Sequence, residues 1–354
     1  MLRALVTATV LARLGRGRDL PPPLAPGAAP PPGTVSVVFP ARDEEDRLAG
    51  CLAPLRDEPL HELLVVDDRS TDRTADVARA HGATVIAGAE LPAGWAGKPW
   101  ALEQGLRAAT GEWVVFLDAD VRPKPGLIAA LVERAGRTDL LSATPRFVCD
   151  TDLERAIHAA FLASLVWRFG PLGVREANPG RTVVNGQCLV ARRATLLAAG
   201  GWRPVGGSLV EDVAIARAWR RAGRRVDVVD AADLLDVRMY GSAAETWRGW
   251  GRSLIAGDAT APAWQLADLA VLWVALALPL PRVLLGRATA LDRVLLGVRL
   301  ALLPALARTY RPRGAGFWLS PLADLPVTAR LTWSVLRPDR TWRGRTYAPR
   351  RGRR

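Results

Sequence analysis

The stretch WVVFLDADVR, residues 113–122, passes from five apolar residues straight into two aspartates with one alanine between them. The apolar run is short, rich in β-branched and aromatic residues and without alternation, the pattern of a parallel strand covered on both faces. Two carboxylates this close to a buried run repel each other and lose solvation, so something positive is required to hold them. A metal ion is one candidate. The arrangement recurs upstream: Val35–Pro40 (VSVVFP) runs into PARDEED at 40–46, and Leu63–Val66 (LLVV) runs into DDRSTDRT at 67–74. Thr84–Ala87 reads as a further strand, and Glu44–Leu55, Asp72–His81 and Trp100–Thr110 between the strands carry helical periodicity. Strand and helix in alternation predict an open, mostly parallel, Rossmann-like α/β sheet with ligand groups at the carboxyl ends of its strands. Three acidic clusters at three strand ends on one sheet edge therefore mark a candidate site. Taken alone, DDRSTD is equally well read as helix capping by Ser70 or Asp72.

The sequence holds no GxGxxG and no GxxxxGK[ST], so a glycine loop does not cradle phosphates here. A metal would have to do so, and oxygen ligation by Asp120, with diphosphate oxygens completing the shell, suits Mg2+ or Mn2+. The three histidines (His61, His81, His158) have no metal-ligand spacing, which argues against zinc or histidine-based catalysis. Cys51, Cys149 and Cys188 are odd in number and far apart, suggesting neither a disulfide framework nor a thiolate site, and a reducing, cytosolic setting fits.

At 354 residues and 49% hydrophobic, the chain has material for one large or two ordinary domains. The formal net charge of +13 is uneven: residues 311–354 hold eleven arginines against Asp324 and Asp339. Next to apolar segments, such a tail suits an anionic membrane surface better than nucleic acid. Residues 1–33 read as a short apolar segment, too short to span a bilayer, followed by a semi-rigid linker with seven prolines between Asp19 and Gly33. Residues 34–240 read as the α/β domain, 241–260 as an amphipathic interfacial helix, 261–340 as membrane-associated helices and 341–354 as a basic tail. The apolar segments are Leu266–Leu285, Val294–Ala307, with Arg299 inside it, and Phe317–Leu336. In the helix Ala243–Ile255, Trp247, Trp250 and Leu254 lie on one side and Arg248 and Arg252 on another, as expected at a membrane interface.

VSVVFPARDEEDRLAGCL, LLVVDDRSTDRT, WVVFLDADV and the later GGSLVEDVAIARAWRRAG together resemble the inverting, nucleotide-sugar-dependent glycosyltransferases of family 2, over roughly Thr34 to Ser253. The resemblance implies a GT-A fold. It implies that Pro40, Ala41, Asp43 and Glu44 cradle the nucleobase, and that Asp68, beside Asp67, contacts base or ribose. Asp118 and Asp120 match the DxD motif, whose last aspartate ligates the metal on the sugar diphosphate, and Asp212, in VED at 210–212, matches the general base. For Glu211 and Asp212 a charged first turn of a helix is the bland alternative. GWAGKPWALEQGLRAA (94–109), VNGQCLVARRATLLAAGGW (184–202), VRMYGSAAETWRGWGRSLIAG (237–257) and TWRGRTY (341–347) are similar to the membrane-bound carotenoid-pathway members of that family, with hopanoid-associated enzymes as neighbours. Lys98 falls in the loop expected near the sugar phosphates.

One departure stands out. Many membrane members carry Q/R-x-x-R-W on an interfacial helix, its arginine meeting diphosphate and its tryptophan lining the acceptor site. Here TWRGWGR has Trp250 at the tryptophan position and Gly249 where the arginine belongs, with Arg248 or Arg252 as the candidate replacement. Glu211, Trp247, Arg248, Trp250 and Arg252 are thus the acceptor and diphosphate candidates. The expectation is a cell-membrane enzyme with a cytoplasm-facing catalytic domain that moves a hexose, expected as glucose from UDP-glucose, onto a lipid acceptor such as an apocarotenoid. A polyprenyl phosphate, hopanoid or glycerolipid acceptor is the alternative, and an inactive membrane scaffold is the reading from another class. The sequence does not fix an oligomeric state.

Overall fold

A computed structural model of the chain describes residues 1–27, 29–255, 260–338, 341–342 and 345–346. Its contacts divide the chain into two units. One comprises Met1–Pro21, Phe147–Val174 and Arg238–Arg340; the other comprises Pro22–Arg146, Arg175–Val237 and Thr341–Arg354. Most of the basic tail, and part of TWRGRTY, lies outside the described residues.

The second unit is the α/β unit. Its strands are β1 (Val35–Ala41), β2 (Glu62–Asp67), β3 (Thr84–Ala87), β4 (Trp113–Leu117), β5 (Val121–Pro123), β6 (Leu140–Thr144), β7 (Arg146–Phe147, where the chain leaves the unit), β8 (Cys188–Arg192), β9 (Val226–Asp230) and β10 (Leu235–Val237). Seven of them form one sheet in the order β3-β2-β1-β4-β8-β6-β9. Strands β1, β2, β3 and β4 are mutually parallel where they pair, as are β6 and β9, while β8 runs antiparallel to both β4 and β6. β4 is buried at all five positions and β1 at six of seven, which is why both read as unbroken apolar runs. The chain builds outward from β1 through β2 to β3, then returns to place β4 on the other side of β1. That reversal opens a crevice at the carboxyl ends of β1 and β4, where ligands bind in such sheets. The helices of this unit are α2 (Glu45–Leu52), α3 (Thr74–Ala80), α4 (Gly97–Ala108), α5 (Leu127–Ala135), α7 (Arg193–Ala198) and α8 (Glu211–Arg221). The short β5 pairs antiparallel with β10, and β11 (Thr341–Trp342) pairs with β12 (Arg345–Thr346).

The proline-rich segment is not a free spacer. The Leu24 amide donates to the Asp230 carbonyl (2.7 Å), Gly27 to Gly126 (3.1 Å), and the Trp113 indole to the Pro32 carbonyl (3.1 Å). Prolines fix the extended course, and the amides between them bond to the α/β unit's loops.

The first unit is helical: α1 (Leu2–Gly15), α6 (Asp152–Phe169), α9 (Ala243–Ser253), α10 (Pro262–Leu272), a π-turn over Trp273–Ala277, α11 (Pro279–Leu284), α12 (Ala290–Leu306), α13 (Gly314–Trp318) and α14 (Asp324–Leu336). The apolar N-terminal segment thus packs with the C-terminal helices. Arg3 and Arg282 both reach Asp292, which also closes a capping box with Thr289 at the start of α12. Arg299, the charge inside an apolar segment, is answered by Asp324 on α14 at 2.8 and 3.0 Å and by Ser320 at 3.1 Å. One helix, Pro262–Leu284, is long and apolar enough to cross a membrane, with a mean hydropathy of 1.7 and 44% of its apolar window buried. Among the described residues every large apolar side chain left exposed belongs to this helical unit, from Leu5 and Leu11 through Trp264, Leu266 and Leu285 to Trp318, Leu322 and Trp333.

Candidate active site

The acidic clusters are interlocked before they can bind anything. Asp43, at the end of β1, sits at φ 53, in the left-handed region that costs an ordinary side chain energy. It is held there by its own amide donating to the Ser70 hydroxyl (3.0 Å) and by Thr71, whose amide donates to the Asp43 carboxylate (2.7 Å). The Glu44 amide donates to Thr74 Oγ1 and the Glu45 amide to Asp72, while Asp72 also accepts from the Thr74 amide. Asp67 accepts from the Ser70 amide (3.0 Å) and closes its own turn. Of the two residues expected to cap, Asp72 accepts from the amides of Thr74 and Glu45, the first residues of α3 and α2, whereas the Ser70 hydroxyl is taken by the Asp43 amide and caps no helix. Asp68 is buried, its amide donates to the Ala41 carbonyl (2.8 Å), and Arg42 donates to its carbonyl (2.9 Å). Pro40 and Ala41 are the last residues of β1, so the groups matched to the nucleobase form one joined pair of loops at the ends of β1 and β2.

The second cluster lies after β4. Lys98 stands in the first turn of α4, where a cation opposes the helix dipole, so its position needs another cause. That cause is a pair of carboxylates: its Nζ lies 2.8 Å from Asp118 and 2.9 Å from Glu211. Burial works against the ammonium, but Asp118 and Glu211 outweigh it and hold its pKa well above the usual lysine value. Glu211 is buried and, with Asp212, opens α8. Burial first, then the Glu211 charge, pushes the Asp212 carboxyl up to about 7, although Lys98 opposes the shift. Asp120 is pushed up by burial first and then by Asp118. One of its oxygens accepts from Gln187 Nε2 at 3.3 Å; the other, Oδ1, is buried with no hydrogen-bond partner. The structure therefore brings Lys98, Asp118, Asp120, Glu211 and Asp212 into one site.

An orphaned, buried carboxylate oxygen beside a second carboxylate fits a hard divalent cation. Among the described residues no cluster of three or more His, Cys, Asp or Glu side chains could hold a metal unaided. Asp120, with Asp118 beside it, fits an ion that takes one or two carboxylates and draws its remaining oxygens from a bound phosphate, the usual habit of Mg2+ in nucleotide sites.

The remaining candidates belong to the helical unit. Trp250 is buried with its ring 4.0 Å from His158, edge-on to Phe147 and Phe161, and its indole donating to Met239 Sδ. Trp247 is half-buried near Phe161; Arg248 is exposed, bonded to the Ala244 carbonyl; Arg252 is half-buried. The structure also explains Gly249. A Cβ there would collide with the hydroxyl end of the Tyr240 ring, so the backbone of α9 packs against that ring at the position matched to the motif's arginine. Gly249→Arg is accordingly expected to destabilise the fold by about 2 kcal/mol or more through overpacking, read as a lowered thermal midpoint, and not to restore an arginine clamp.

The raised carboxyl of Asp212 gives a pH signature. Its folded pKa exceeds the unfolded value near 4, so the native state binds the extra proton and this group's contribution to stability is lost as pH rises from about 4 to about 7. Measured without metal, the thermal midpoint of Asp212→Asn is expected to gain on wild type between pH 5 and pH 8, since asparagine carries no buried charge.

Residues 36–196 match the sequence model of glycosyl transferase family 2. Among curated proteins it is 26% identical over 220 residues to 4,4'-diaponeurosporenoate glycosyltransferase of Staphylococcus haemolyticus strain JCSC1435, covering 60% of this chain and 58% of that one. The protein of the same name from Staphylococcus aureus strain MRSA252 is 28% identical over 214 residues, covering 58% and 56%. The chain thus spans a little over half the length of these relatives. Among solved structures, glucosyl-3-phosphoglycerate synthase from Mycobacterium tuberculosis in complex with Mn2+, UDP and glucosyl-3-phosphoglycerate aligns at a TM-score of 0.44 and 25% identity, over 63% of this chain and 78% of that one.

Proposed function

We propose that this chain, through its family 2 glycosyltransferase domain, transfers a hexose from a nucleotide diphosphate sugar to a hydrophobic acceptor at a membrane, with inversion at the anomeric carbon. The observation that carries the reading is the convergence of Lys98, Asp118, Asp120, Glu211 and Asp212 at the sheet's switch point. The joined loops of Asp43 and Asp68 would hold the nucleoside. A Mg2+ or Mn2+ ion held by Asp120 and the donor phosphates would neutralise charge on the departing diphosphate. Lys98 pairs with Asp118 and Glu211 and fixes both. Asp212 accepts the proton of the acceptor oxygen as that oxygen bonds to the anomeric carbon and the bond to the nucleotide diphosphate breaks. A base whose pKa lies near 7 is matched to that task at neutral pH. One displacement needs one base and no enzyme nucleophile.

Glucose from UDP-glucose is the proposed donor, and an apocarotenoid hydroxyl, or its carboxyl group bound in the protonated form, the proposed acceptor, on the strength of the relatives' names. Among the described residues the exposed large apolar side chains fall in the helical unit, which supports that unit as the surface turned to lipid, with Pro262–Leu284 as its membrane segment; a cytoplasm-facing catalytic domain is part of the proposal. Calorimetric titration of the full chain with UDP tests the donor half: binding that requires Mn2+ or Mg2+ and exceeds that of GDP supports it, and metal-independent or absent UDP binding contradicts it.

A further inference from the structure

The turn Asn185–Gly186–Gln187, entering β8, touches both reactive carboxylates. Because β8 runs antiparallel to β4, with Cys188 opposite Leu117, its first residues arrive at the carboxyl end of β4, and the Asp118 amide donates to the Gln187 carbonyl (3.1 Å). The Gln187 side chain is buried. Its Oε1 accepts from Asn185 Nδ2 (3.1 Å), its own amide donates to Asn185 Oδ1 (2.8 Å), and this leaves Nε2 directed at Asp120. Asn185 is anchored in turn by Ser142 of β6, whose hydroxyl accepts from the Asn185 amide (2.9 Å) and donates to its carbonyl (2.8 Å). On the other side of the turn, a Cβ at Gly186 would lie 2.7 Å from Asp212 Oδ2 and 2.8 Å from its Cβ and Cγ, closer than real Cβ atoms approach. Its absence lets Asp212 lie against the backbone of the turn.

We infer that Gly186 and Gln187 are positioning residues which fix the separation between the carboxylate facing the donor phosphates and the carboxylate that takes the acceptor proton. The inference rests on the proposed function. A rigid turn in contact with both groups sets where an acceptor oxygen can stand relative to the anomeric carbon, and displacements of about 1 Å in such geometry cost about 100-fold in rate.

Two variants of the full chain separate the two ends of the turn. Rate is read as UDP released from UDP-glucose with a hydroxycarotenoid in detergent micelles, and metal affinity as free Mn2+ by electron paramagnetic resonance with UDP present. Gly186→Ala, which displaces Asp212, is expected to lower kcat about 100-fold with the Mn2+ half-saturation point unchanged. Gln187→Leu, which strips Asp120 of its partner, is expected to raise that point about 10-fold or more. If Gly186→Ala folds poorly, Gly186→Ala/Asp212→Gly should recover the thermal midpoint of Asp212→Gly alone, because the Asp212 atoms met by the new Cβ (Oδ2, Cγ and Cβ) are then all gone. Equal losses of kcat and metal affinity in both variants, wild-type kcat in Gly186→Ala, or no recovery in the double variant would overturn the inference. Asp212→Asn run in parallel tells the two failures apart. If it is inactive while Gly186→Ala is fully active, the positioning inference falls and the base assignment stands; if it is active, the base assignment falls and the inference with it.

Discussion

Replacing Asp212 with asparagine is expected to lower hexose transfer by about 100- to 10,000-fold while leaving Mn2+-dependent UDP binding within about twofold of wild type. The substitution conserves shape at the start of α8 and leaves Lys98 paired with Asp118 and Glu211, so the donor side of the site is untouched. It removes the one carboxylate whose burial, beside Glu211, raises its proton affinity toward neutrality. Pre-steady-state transfer and UDP titration on the same preparation check both halves. Full activity would remove Asp212 as the base, and joint loss of transfer and donor binding would make it a donor ligand.

The second large effect belongs to Asp120. Asp120→Ala is expected to abolish the metal-dependent part of UDP binding, a larger loss than the 10- to 100-fold that removal of an outer-shell partner brings. The orphaned Oδ1 is the reason: a buried carboxylate oxygen with no donor, beside a second carboxylate, is destabilising until a cation arrives. The same argument predicts that the variant, measured without metal at neutral pH, melts no lower than wild type, because a repelled and desolvated charge has been removed. Calorimetry with and without Mn2+, and thermal melts of the apo protein, are the measurements. UDP binding that keeps its full metal dependence would sink the assignment.

Much of the α/β unit was legible in the sequence because its central strands β1 and β4 are buried on both faces and read as unbroken apolar runs. Val35–Pro40, Leu63–Val66, Thr84–Ala87 and Trp113–Leu117 are strands within a residue of their expected bounds. The gathering of acidic groups at the ends of β1, β2 and β4 followed from the alternation of strand and helix. Less visible was which acids serve the fold. Asp67 and Asp72 are taken up by backbone amides, a matter of turn geometry that residue types do not reveal. The proline-rich stretch reads as a spacer because it is anchored through its own backbone, by the Leu24 and Gly27 amides and the Pro32 carbonyl, which carry no side-chain signature. Gly249 reads as a lost arginine in the sequence because Tyr240, the ring that packs against it, stands nine residues earlier and outside the motif. Asn185, Gly186 and Gln187 were not singled out, because their contacts run to residues 67 and 26 positions away, from Gln187 to Asp120 and from Gly186 to Asp212. The only local trace was a glycine between two amides just before a buried strand.

The most direct test is mass spectrometry of lipid extracts from cells expressing the wild-type chain or Asp212→Asn, fed a carotenoid carboxylic acid and a hydroxycarotenoid. The account predicts a hexose mass added to one of these acceptors with the wild type and not with the variant. A hexosylated polyprenyl phosphate, hopanoid or glycerolipid in its place would contradict the apocarotenoid acceptor while keeping the chemistry. No new glycolipid with the wild type, or the same product with Asp212→Asn, would contradict the account of this site.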